Sequence, residues 1–334
     1  LPEVCRDGEP PKACHDDEPP RACHGAEPPK ACHGAEPRYV VDSLAAAPEA
    51  KDAVGGRGLL HDLRAAALPG QLLIGFDFPI GLPLAYARAV GIASFPEFLG
   101  AMGSPPWEEF DLVARNRSDI TLHRPFYPHA PGGAKREHLQ LGLELTAKEL
   151  RRRCEGTDAE VLFWTLGSKQ VGQGALAGWR LLAAAQRDPG LALWPFAGSL
   201  PELLDGGSRI VAAETYPREY YKYAMAHGTA HSAGVARKRW SKRRRADRLA
   251  LVPGILAWAE SLGVGWEPRV RDRVEQGFSD GANGEDEFDA VIGLLAMISV
   301  VTGTLSPGEP CDEPAVATVE GWILGRSASS LPKV

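Results

Sequence analysis

A chain of 334 residues, 44% hydrophobic and 24% charged, has the composition of a globular protein with a sizeable core. Collagen-like, coiled-coil and wholly disordered classes are excluded. With 37 Lys and Arg against 43 Asp and Glu the net charge is −6, which argues against a surface that binds nucleic acid all over. The longest apolar run, Ala290–Val301, is broken by Gly293 and Ser299 and falls short of the roughly 20 residues of a membrane span.

Residues 1–37 repeat every nine positions, with Cys5, Cys14, Cys23 and Cys32 in register with Glu9, Glu18, Glu27 and Glu36. Proline pairs forbid a helix or a central strand through this tract. It has few apolar side chains to offset the entropy of ordering, so a disordered or polyproline-like segment is expected. Its cysteines and His15, His24 and His33 lack the C-x2-4-C spacing of structural zinc sites. Cys154 and Cys311 stand apart, and the opening residues show no charged and apolar leader pattern. A cytoplasmic protein is the expectation, and the oligomeric state is left open.

From residue 38 the pattern alternates. Residues 38–44 read as a short strand, and 56–68 as a helix with Leu59, Leu60, Leu63 and Ala67 on one face. Residues 71–80 read as a buried strand ended by Pro79 and Gly81, followed by a helix-rich insertion over about 84–200. A second buried strand spans 209–217, and helices span 241–262 and 285–301. Strands alternating with helices predict an α/β domain over 38–334 with parallel pairing.

Two acids fall at the ends of these strands: Asp77, between Phe76 and Phe78, and Glu214, before Tyr216 and Pro217. Open α/β sheets bind ligands at the carboxyl ends of their strands. Asp286 and Asp289, three apart, share a face at the start of the last apolar helix, where acids also simply suit the helix dipole. An isolated carboxylate in an apolar strand is costly unless paired or metal-bound. Asp77, Glu214 and Asp289 together suit a site for Mg2+ or Mn2+ that activates a water at a phosphate ester.

The basic residues suggest the substrate. Between positions 237 and 248 stand eight basic residues and one acid, Asp247, so Lys242, Arg243, Arg244 and Arg245 are candidate phosphate contacts; a solvated helix face is the plainer alternative. The Gly-rich loop at 124–138 adds Arg124, Lys135 and Arg136, and Lys169 is a further candidate facing the acids. Gly174 and Gly178 have the spacing of a close helix contact. Gly-x-Ser-x-Gly is absent, against a serine hydrolase.

The order Ile74-Gly-Phe-Asp-Phe-Pro-Ile-Gly-Leu-Pro83, Glu214-Thr-Tyr-Pro217, Gly284-Glu-Asp-Glu-Phe-Asp-Ala290 and Glu320-Gly-Trp-Ile323 resembles a family of predicted nucleases with an RNase H-like (ribonuclease H-like) fold. The resemblance implies a mixed sheet flanked by helices, divalent-metal catalysis on DNA or RNA, Asp77 as the fourth-strand carboxylate, and Asp286 or Asp289 as that of the final helix. Glu214 would be a further acid. It also implies a first catalytic Asp on a leading strand, and residues 1–37 hold no strand-borne Asp. A non-catalytic nucleic-acid-binding relative and a phosphotransfer or ATP-dependent enzyme of the same superfamily are the alternatives.

Overall fold

The computed structural model describes residues 38–44, 65, 70–156, 159–167, 171–186, 189–207, 209–228, 240–308 and 313–327. Strands β1 (Tyr39–Val41) and β2 (Leu72–Phe76) precede helices α1 (Leu84–Val90), α2 (Phe95–Ala101), α3 (Arg136–Leu143) and α4 (Val171–Ala185). Then come β3 (Leu191–Leu193), α5 (Leu200–Asp205) and β4 (Ile210–Glu214). The chain continues through α6 (Tyr221–His227), α7 (Arg245–Ser261), β5 (Val264–Trp266), α8 (Pro268–Glu275) and the long α9 (Gly281–Val301).

The architecture is α/β with two small parallel sheets, one ordered β2-β4-β3 and the other pairing β1 with β5. All five residues of β4 are buried, because it lies between two partners, whereas β2 at the edge is half-buried throughout. A strand covered on both faces reads as a continuous apolar run, and Ile210-Val-Ala-Ala does.

The strand expected over 38–44 is β1, which pairs with the three-residue β5 rather than with β2, and the helix-rich stretch 84–200 also holds β3, which pairs with β4. The repeat tract and nearly all of the helix expected over 56–68 lie outside the described residues.

Local chemistry sets several boundaries. The Ser94 hydroxyl accepts a bond from the Glu97 amide to start α2, and the Glu267 carboxylate accepts bonds from Arg269 and Val270 to start α8. Gly81, at φ 138°, brings the turn after β2 against the Glu320 carbonyl, where any side chain would collide with backbone. Among the described residues no helix is long and apolar enough to cross a membrane.

Helices α6 and α7 cross closely because Gly254 leaves room for the Ala224 carbonyl. A methyl there meets backbone rather than a side chain that can swing aside. Gly254→Ala should therefore cost about 3 kcal/mol of stability, read as a lower denaturant midpoint with an unchanged slope.

Candidate functional site

Because Phe76 and Glu214 are register partners, β2 and β4 end side by side, and the residues after them share one edge of the sheet. The turn carrying Asp77 is held from behind. Trp179 Nε1 donates to the Pro79 carbonyl at 2.7 Å, and Gly178 on α4 admits the Phe78 ring. A pocket of about 670 Å³ opens here, lined by Asp77, Glu214, Tyr216, Tyr221, Lys242 and Asp289 among others. The volume lies within the range of small-molecule sites.

The acids differ sharply in their surroundings. Glu214 is buried, and both its oxygens accept from Arg152, Oε2 from Nη1 at 2.7 Å and Oε1 from Nη2 at 2.7 Å. Oε2 also accepts from the Ile80 amide at 2.7 Å. The Arg152 side chain is 0% exposed, and Glu155 holds its Nη2 at 3.0 Å. Glu214 is therefore corrected from metal ligand and catalytic residue to partner of a buried arginine.

Asp289, on α9, accepts from the Tyr221 hydroxyl at 2.5 Å through Oδ1 and forms an ion pair with Lys242 through Oδ2. Burial raises the pKa of Asp289 against the pull of Lys242 and Tyr221. Burial likewise opposes the charge on Lys242, yet Asp289 and Asp77 hold its pKa above the ordinary lysine value.

Asp77 lies one residue beyond β2, not inside it, and is an exposed residue at the pocket. Surrounding protein raises its pKa to about 7; the Asp289 charge adds to the rise and Lys242 opposes it. An open mouth and enclosing walls are compatible: water reaches the residue, but few protein dipoles replace the lost hydration. Asp286 acts on Asp77 and Asp289 through its charge, but it is exposed and does not line the pocket.

Among the described residues no group of three or more His, Cys, Asp or Glu is arranged to hold a metal ion. The three-acid expectation is therefore reduced to a pair, Asp77 and Asp289, in which Asp289 already has a cationic neighbour.

The basic candidates are mostly spent within the fold. Lys242 pairs with Asp289 and Arg244 with Asp247, while Arg245 donates to the Gln276 carbonyl at 2.9 Å and meets Asp280. Arg248 is buried and donates to the Lys242, Gly277 and Ser279 carbonyls. Arg243 is exposed. Arg136 forms two hydrogen bonds with Glu160 and lies over the Trp164 ring, Arg124 donates to the Val113 carbonyl, and Lys135 is exposed at the start of α3. Arg124, Lys135 and Arg136 do not line the pocket, and Lys169 lies outside the described residues.

Sequence reasoning missed Arg152, Tyr221 and Arg326. Arg152 stands in the run Arg151-Arg-Arg153, which looks like solvated surface, and nothing local marks it for burial. Glu320, from the terminal Glu-Gly-Trp motif, is structural: it accepts from Arg153 Nε at 2.6 Å and from the Leu84 amide at 3.4 Å.

Comparison with family models, with curated proteins and with solved structures finds no match. The site is thus read from its own geometry.

Removing one member of a buried ion pair strands the other, so Arg152→Met should destabilise the protein by about 3–5 kcal/mol in chemical denaturation. Asp77 gives a pH-dependent effect of opposite sign. Its pKa rises from 3.8 to about 7 on folding, so its ionisation opposes folding increasingly between these values and fully above them. Asp77→Asn should melt at the same temperature as the parent near pH 4 and at a higher temperature at pH 8. A constant difference across that range would disprove the shift.

Proposed function

We propose that this pocket hydrolyses phosphodiester bonds of DNA or RNA components, with Asp77 and Asp289 as its catalytic carboxylates. The observation that carries this reading is Asp77: a solvent-reached acid at a strand's carboxyl end whose pKa stands at about 7. An acid so poised exchanges protons with water at neutral pH, as a general base must. The order of elements also supports the RNase H-like reading: an acid after β2, an acid ending β4, and an acid on the long final helix.

The donor chemistry suits one hard cation. Mg2+ is commonly held by one or two carboxylates and keeps several of its waters, and Asp77 and Asp289 supply two such groups. Glu214 supplies none while Arg152 occupies both its oxygens. Bound there, Mg2+ or Mn2+ would polarise a phosphoryl oxygen and make a water more acidic.

The chain's own residues do the rest. Asp77 accepts a proton from the attacking water. Tyr221 donates to Asp289 Oδ1 and so orients that carboxylate. Lys242 pairs with Asp289 and offsets part of the repulsion between the Asp289 charge and Asp77. The same ion pair favours a second reading, a nucleic-acid-binding relative without catalysis, because a compensated acid needs no metal.

The discriminating experiment is cleavage of labelled single- and double-stranded DNA and RNA with Mg2+ or Mn2+. The expected rate falls about 10²–10⁴-fold in Asp77→Asn. Cleavage that survives chelation overturns the cation. Binding without cleavage under all conditions favours the second reading.

A further inference from the structure

We propose that Arg218, Lys222 and Arg326 form a phosphate subsite in the pocket wall, and that the pocket takes a nucleotide-sized phosphate ester rather than the body of a duplex. The proposal rests on the phosphodiester reading of the same pocket and names its substrate class.

Three observations carry it. First, these cations come from neighbouring segments. Arg218 lies in the turn between β4 and α6, Lys222 lies on α6, and the Arg326–Glu219 ion pair at 3.2 Å places the C-terminal segment beside them. All three line the pocket.

Second, the wall has spare donors. The Arg326 side chain is 9% exposed, and its buried Nε has no hydrogen-bond partner. An unmade bond on a buried guanidinium is costly, and an arginine that lines a pocket can turn its planar fork towards a phosphate. Lys222 is exposed, lies over the Tyr223 ring and makes no ion pair with a described residue. Of the pocket acids, Glu155, Glu160, Glu214, Glu219 and Asp289 each have another basic partner, and Asp77 forms no ion pair with Lys222.

Third, size and surface fit one nucleotide. Phe78, Tyr216, Val171 and Ile323 give the pocket an aromatic and apolar lining on which a base can rest, within a volume of about 670 Å³. A duplex needs a track of cations for successive phosphates. In the described part of the basic run, Lys242, Arg244, Arg245 and Arg248 are held by the fold itself.

The test is calorimetric titration of the full chain in magnesium-free buffer with inorganic phosphate, thymidine 5′-monophosphate and a blunt DNA duplex. Phosphate and the monophosphate should each saturate, the monophosphate more tightly, and the duplex should bind more weakly than the monophosphate. Lys222→Glu, at an exposed position, should weaken both small ligands about tenfold or more, and Arg326→Gln likewise, with melting temperatures showing that each variant is folded. Should Arg326→Gln fail to fold, Lys222→Glu decides alone. No saturable phosphate binding, affinities unchanged in Lys222→Glu, or a duplex that binds as tightly as the monophosphate overturns the subsite. Phosphate binding without cleavage leaves the subsite standing and overturns only the hydrolytic reading.

Discussion

The buried contact between Arg152 and Glu214 is the constraint on which the rest depends. A carboxylate at the end of a fully buried strand cannot stay ionised without compensation, and a buried guanidinium is as demanding. Each satisfies the other, and their remaining capacity is taken by the Ile80 amide, Glu155 and the Glu320 carbonyl. One ion pair thereby joins the end of β4, the turn after β2, the 152–155 loop and the C-terminal segment. These are the pieces that frame the pocket.

The acids held by arginines, such as Glu155 and Glu214, serve the structure; Asp289, paired with Lys242, and one acid without a cationic partner among the described residues face the pocket. Asp77 is that acid. It cannot be silenced by Arg152, which Glu214 consumes, and Lys242 binds Asp289 instead. Like charge from Asp289 and enclosure by protein both work against ionisation of Asp77, so its proton becomes exchangeable at neutral pH. The cost is stability forgone above that pH, a common arrangement at functional sites.

The C-terminal residues, although far from β2 in sequence, complete this arrangement. Val319 accepts from the Leu82 amide, Glu320 binds Arg153, and Leu324 donates its amide to the Glu214 carbonyl. Gly81 and Gly321, both at positive φ, let these two backbones approach. The Glu-Gly-Trp motif is thus a clasp across the turn that carries Asp77.

Much of the framework was legible in the order of residues alone. Apolar runs ended by proline locate β2 and β4, and periodicity locates α7 and α9, because burial on a sheet or along one helix face leaves a local pattern. Asp77 was legible as a candidate because it follows an apolar strand between two phenylalanines, and Asp289 because it shares a face with Asp286 at the start of the apolar final helix. What escaped were β3, α5, α6, β5 and α8, none longer than eight residues, and every fact about which charge meets which. Arg152 and Arg153 are adjacent and look alike, yet one is buried against Glu214 and the other binds Glu320 and Glu313. The basic run reads as a phosphate track until the fold turns Lys242 to Asp289 and Arg248 inward onto carbonyls. Local sequence determines propensity and periodicity, which act over a few residues. Charge pairing acts between residues brought together by the whole chain, so only the tertiary structure decided which carboxylate was left for chemistry.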